Sequence, residues 1–105
     1  ILAFLDINPT TNGDTLIIPK THYQDVFQVP DDVLVKINNI SKKLYKLYQE
    51  KLHCIGLTLS TNLDYGQEIK HFHVHFIPRY ENDEVSHLSN KEILKDLKEI
   101  KELLK

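Results

Sequence analysis

The chain has 105 residues, 41% apolar and 27% charged, a composition that suits one compact globular unit. Thirteen basic against fifteen acidic residues leave a net charge of −2, which excludes a basic field for extended nucleic acid and a polybasic tail for anionic membrane. The single cysteine, Cys54, excludes an internal disulfide or a Cys-x-x-Cys zinc knuckle and favours a reducing, cytoplasmic setting. No apolar run nears the roughly 18 residues of a membrane span. The chain has no methionine and begins inside an apolar run, so a preceding N-terminal piece is expected. A domain of this size buries only about two-thirds of its unfolded surface, which leaves a homodimer open as a source of further burial.

The opening "ILAFLDI" is apolar and stops at "NPTTNGD", whose Asn, Pro and Gly mark a turn. "TLIIP" follows as a second strand closed by Pro19, and the two read as a hairpin with a long loop. "THYQDVFQVP" has mixed character and suits a single helical turn before Pro30. Over residues 31–51 the apolar positions Val33, Ile37, Ile40, Leu44 and Leu47 keep a helical period, with Asp31 and Asp32 at the positive pole and Lys51 at the negative one. "CIGLTLS" alternates Ile55, Leu57 and Leu59 against smaller residues and predicts a strand. "TNLDYGQE" is a polar loop, and "IKHFHVHFIP" is the next strand. Ser89 to Glu92 form a capping box, and Ile93, Leu97, Ile100 and Leu104 continue as an amphipathic helix. The order implies an α+β fold, a mainly antiparallel sheet with a long helix packed on one face and a C-terminal helix, as a single domain over 1–105.

Three of the six histidines fall in "HFHVHFIP". On a strand, His71, His73 and His75 share one face, each roughly 6.5–7 Å from the next, while Phe72, Val74 and Phe76 share the other. Three readings compete. The histidines could simply decorate a solvated sheet face. They could ligate a metal, but three same-face imidazoles on a flat strand diverge, and no carboxylate or further Cys closes the site. The favoured reading is nucleophilic and acid/base chemistry at phosphorus. A neutral imidazole attacks through one ring nitrogen while the other is held as N–H, and a neighbouring imidazole protonates the leaving group.

"HFHVHFI" fits the pattern His-φ-His-φ-His-φ-φ, with φ apolar, and resembles the signature of the histidine-triad superfamily of nucleotide hydrolases and transferases. "AFLDINPTTNGDTLIIPKTHY" looks like that family's first hairpin, and "GQEIKHFHVHFIPRY" like its active-site strand. The resemblance implies His73 as nucleophile on an α-phosphorus, His75 as the phosphate contact that helps the leaving group, and His71 as the residue orienting the nucleophile. It implies that Asp6, by itself a turn residue before Asn8 and Pro9, accepts from the ribose hydroxyls. Leu5, Ile7 and Leu16 fall at or beside base-pocket positions, and Asn62, Gly66 and Gln67 match the phosphate side. His75, in place of the transferases' glutamine, implies a hydrolase. The phosphoramidase branch is favoured over dinucleoside polyphosphate hydrolases, with a non-catalytic nucleotide-binding module as the rival. The resemblance further implies a purine nucleotide substrate and a homodimer paired through the 31–51 helix and a sheet edge, with no cofactor and no metal.

The chain departs from the family pattern in places. Many relatives carry a histidine after the hairpin glycine, where Asp14 stands here. It is expected to orient an imidazole by accepting its N–H. Glu68 replaces the usual Ser or Thr and is expected to point away from phosphate. The loop between Asn62 and Gly66 looks shorter than usual, and the zinc-binding cysteines of some relatives have no counterpart. His22, His53 and His87 read as surface or capping residues.

Overall fold

Pro19 and Pro30 bracket the first half of the fold, ending one strand and preceding one helix. The computed structural model describes residues 1–63 and 70–81. In chain order the elements are β1 (Leu2–Leu5), β2 (Thr15–Ile18), a 3-10 turn (Val26–Gln28), α1 (Asp31–Leu52), β3 (Gly56–Ser60) and β4 (Val74–Arg79). The four strands form one sheet in the order β1-β2-β4-β3, with each neighbouring pair antiparallel. This is the expected α+β arrangement. The C-terminal helix expected from Ser89 lies outside the described residues, as do His87, Gly66, Gln67 and Glu68.

The hairpin turn is built from backbone and carboxylate bonds. Asp6 N donates to Asp14 O at 2.9 Å, and Asp14 N donates to Thr11 O at 3.2 Å. Gly13 adopts φ +87°, and a Cβ there would lie 2.6 Å from Leu52 Cδ1 at the end of α1. Only glycine combines that left-handed backbone with such close approach. The mixed stretch before Pro30 does contain one helical turn, capped by Asp25 Oδ1 accepting from Phe27 N at 3.0 Å.

The long helix runs 22 residues, begins after Pro30, and carries Asp31 and Asp32 in its first turn and Lys51 in its last. It stops at His53, which holds the left-handed cap position at φ 60°, so this histidine is a capping residue as expected. The buried face is rotated from the predicted stripe: Ile37, Ser41 and Tyr48 are the buried residues. Ser41 is accommodated because its hydroxyl donates to the Ile37 carbonyl at 2.9 Å. The Tyr48 hydroxyl lies 2.7 Å from Thr15 Oγ1, while its ring meets Phe76 edge-on with centroids 5.3 Å apart. A pattern scored on apolar residues misses a tyrosine that is buried by virtue of its hydroxyl partner.

Alternation along the strands assigns the two faces of the sheet. Thr15, Ile17, Phe76 and Pro78 are buried on the helix side, and Ile17, Phe72 and Phe76 anchor a core that also holds Val29, Ile37, Tyr48 and Cys54. Full burial of a side chain such as Phe76 or Ile17 stabilises by about 1.5–3 kcal/mol. The opposite face carries His75, and the register sets Leu16 beside it and Phe4 beyond. Among the described residues, no helix is long and apolar enough to cross a membrane.

Candidate active site

The histidine run does not lie wholly on a strand. β4 begins at Val74, and the β2–β4 ladder ends at the pair Ile17↔Val74. Two steps further on, β2 reaches Pro19, which has no N–H to donate, so the ladder cannot continue toward His73 and His71. The expectation of three imidazoles evenly spaced on one flat face is therefore corrected. Only His75 is a β4 residue, and the His73 and His75 ring centroids stand 4.9 Å apart in an edge-to-face arrangement. The His71 ring instead meets His22, with centroids 5.0 Å apart.

Residues 71–73 are fixed by individual bonds. His73 Nδ1 lies 2.8 Å from the His71 carbonyl oxygen. A carbonyl only accepts, so Nδ1 carries the hydrogen, and in the neutral ring Nε2 then carries the lone pair. No hydrogen bond from a described residue occupies Nε2. The His73 carbonyl accepts from Thr61 Oγ1 at 2.8 Å, and the Phe72 ring is buried as an anchor between the two histidines. Thr61 is a residue that sequence reasoning missed; its neighbour Asn62, which was singled out, is exposed.

His75 is half-buried beside Leu16 on one side and Ser60 on the other. Burial chiefly, and next the repulsion it would feel from a protonated His73, push its imidazole below the ordinary range, while Asp6 pulls the other way. The shift favours the neutral imidazole and makes its protonated form a stronger acid.

Asp6 follows β1, and its Oδ1 accepts from Asn8 N at 2.9 Å, so the turn role is present and fixes the carboxylate close enough to influence His75. Ile7 is 78% exposed beyond the strand end. Leu5 pairs with Thr15, which places it on the helix side of the sheet, away from His75 and Leu16. Its expected place beside the base pocket is corrected by this alternation of faces. Phe4, which pairs with Leu16 and is 46% exposed, is the β1 residue on the His75 side. The signal was available: once Leu16 is chosen, hairpin register selects Phe4.

Asp14 is 3% exposed. Its Oδ2 accepts from Thr10 N at 2.8 Å, and its Oδ1 is buried without a hydrogen-bond partner among the described residues. Burial raises its carboxyl to about 6, against the lowering effect of the Thr10 N–H. The expectation that it accepts from an imidazole is corrected: the carboxylate serves the turn that presents Asp6, because its chain direction points it back over Thr10. Among the described residues, no group of three His, Cys, Asp or Glu side chains stands where it could hold a metal ion.

The HIT domain family model matches residues 1–82. The chain belongs to the HIT family. An uncharacterized HIT-like protein of Methanocaldococcus jannaschii is 40% identical over 107 residues, spanning 93% of this chain and 82% of its own length. The adenosine 5′-monophosphoramidase of Saccharomyces cerevisiae is 40% identical over 77 residues, 73% of this HIT chain and 48% of that enzyme. Among solved structures, a Zn-bound histidine triad family protein from Mycobacterium smegmatis superposes with a TM-score of 0.82 at 30% identity, over 97% of this chain and 73% of that one.

Proposed function

We propose that this HIT protein hydrolyses a nucleoside 5′-phosphoramidate, or a related AMP–X bond, through a covalent nucleotidyl-histidine. One observation carries the reading: His73 Nδ1–H is held on the His71 carbonyl at 2.8 Å, which in the neutral ring leaves Nε2 as an oriented nucleophile. In the first step Nε2 forms a bond to the α-phosphorus, the P–X bond breaks, and His75 gives its proton to the departing amine. In the second step water attacks phosphorus, the P–Nε2 bond breaks, AMP leaves, and a proton returns to His75. A depressed imidazole suits that work, because its acid form releases the proton readily once phosphate has drawn one in.

Asp6 would receive the ribose hydroxyls on the carboxylate oxygen that Asn8 does not engage, and Leu16, Ile7 and Phe4 would meet the base, for which we favour a purine. Asn62, Gly66 and Gln67 would attend the phosphate. The whole protein we read as a cytoplasmic homodimer with its copies joined through α1 and a sheet edge, because a chain of this size gains core by pairing.

The test is an adduct experiment. Incubation with adenosine 5′-phosphoramidate followed by a mild-base quench is expected to leave AMP on the protein. His73→Ala removes the adduct while retaining AMP binding. Binding without an adduct or turnover would make this a nucleotide-binding module. Turnover of a dinucleoside polyphosphate well above that of the phosphoramidate would move the leaving group to the polyphosphate class.

A further inference from the structure

Two dipeptides cross where the β2–β4 ladder has stopped, His22–Tyr23 and His71–Phe72. Phe72 N donates to the Tyr23 carbonyl at 2.6 Å. That N–H belongs to the same peptide group as the His71 carbonyl, which accepts from His73 Nδ1 at 2.8 Å. In a trans peptide the N–H and C=O point in opposite directions, so fastening one to Tyr23 aims the other at His73. The His71 ring is fastened as well. Its Nε2 lies 3.3 Å from the Pro19 carbonyl, and its Nδ1 lies 3.2 Å from His22 Nδ1.

These contacts fix the hydrogens. The Pro19 carbonyl can only accept, so His71 Nε2 carries a hydrogen, and in a neutral ring His71 Nδ1 is then a lone pair. The protein group facing that lone pair is Nδ1 of His22, an exposed residue, and it can meet the lone pair only as Nδ1–H. We infer that His22 is a positioning residue for the triad: its Nδ1–H holds the His71 ring in the Nε2–H form and so keeps the His71–Phe72 peptide aimed at the nucleophile. His22 touches no reacting atom in this scheme. It acts through His71, and the inference rests on the proposed role of His73 for its effect on turnover.

The alternative is that the two Nδ1 atoms face each other to share a metal ion, and the test separates the two. His22→Asn keeps an N–H donor the same number of bonds from the backbone as Nδ1. His22→Leu removes the donor, and His22→Asp replaces it with an acceptor. Side-chain ¹⁵N–¹H NMR of the metal-analysed full chain is expected to show His71 as Nε2–H in the parent and in His22→Asn. A tautomer mixture is expected in His22→Leu, and a doubly protonated His71 in His22→Asp. With adenosine 5′-phosphoramidate, kcat is expected to fall about tenfold in His22→Leu with KM unchanged, a part of the roughly 10²–10⁴-fold that an aligned imidazole supplies, and to recover in His22→Asn. Unchanged His71 tautomer in His22→Leu overturns the inference, as does stoichiometric zinc bound through His22 and His71. The NMR readout needs no turnover. An inactive parent with the expected tautomers would overturn the proposed function and leave the positioning intact.

Discussion

His75 and His73 have ring centroids 4.9 Å apart but are held by opposite means. His75 sits in the ladder, with Leu16 and Ser60 paired to it on the two sides, so its position follows from register. His73 lies before the strand, and one bond from its ring, one to its carbonyl and the buried Phe72 beside it do the holding. A ladder residue is fixed by many cooperating backbone bonds, none individually needed. The residue outside the ladder depends on each of a few bonds, which makes it easy to aim finely and easy to misalign.

The largest test of this contrast replaces the two buried phenylalanines. Phe76→Ala and Phe72→Ala are each expected to cost about 3–5 kcal/mol in urea denaturation. In molecules that remain folded, Phe72→Ala is expected to reduce kcat further than Phe76→Ala, because it frees the segment carrying His73. Equal losses of kcat would mean that both histidines depend on the sheet alike.

The next effect concerns Asp14, at the ladder end of the site. Its folded carboxyl stands at about 6 against an ordinary 3.8, so between those values the folded state binds more protons than the unfolded one. The stabilisation of its neutral form is fully present below pH 3.8 and is lost as pH rises through about 6. Asp14→Asn is expected to remove a fall in stability of on the order of 2–3 kcal/mol between pH 4 and pH 7, measured as the difference between parent and variant unfolding midpoints. Parallel pH curves for the two proteins would show that the carboxyl titrates normally.

The smallest effect is at Thr61. Thr61→Val removes the donor to the His73 carbonyl and is expected to cost about 1 kcal/mol in stability while lowering kcat several-fold at constant KM. Retained kcat would assign the aiming of His73 to its ring bond alone.

Much of this was legible in the sequence. The hairpin, the turn before Pro30, the long helix and the strands β3 and β4 follow from period and punctuation, and the alternating histidines marked the candidate site. Pro19 carried the signal that the ladder would end short of His73, since a missing N–H is a property of the residue itself. The rotated helix face was hidden because Ser41 and Tyr48 are buried through hydrogen bonds, one local and one to a residue 33 positions away. His22 was hidden for a plainer reason. It meets His71 across 49 positions of chain, and no local pattern reports a contact formed by a crossing.

Cys54 has a practical consequence. It is the chain's only thiol, 5% exposed between the helix cap and β3, and burial pushes it above its ordinary range. A hidden, protonated sulfur reacts with an alkylating reagent only when its surroundings open. Its labelling rate is therefore a built-in clock for the breathing of the helix–sheet junction. No probe has to be engineered into the fold to read it.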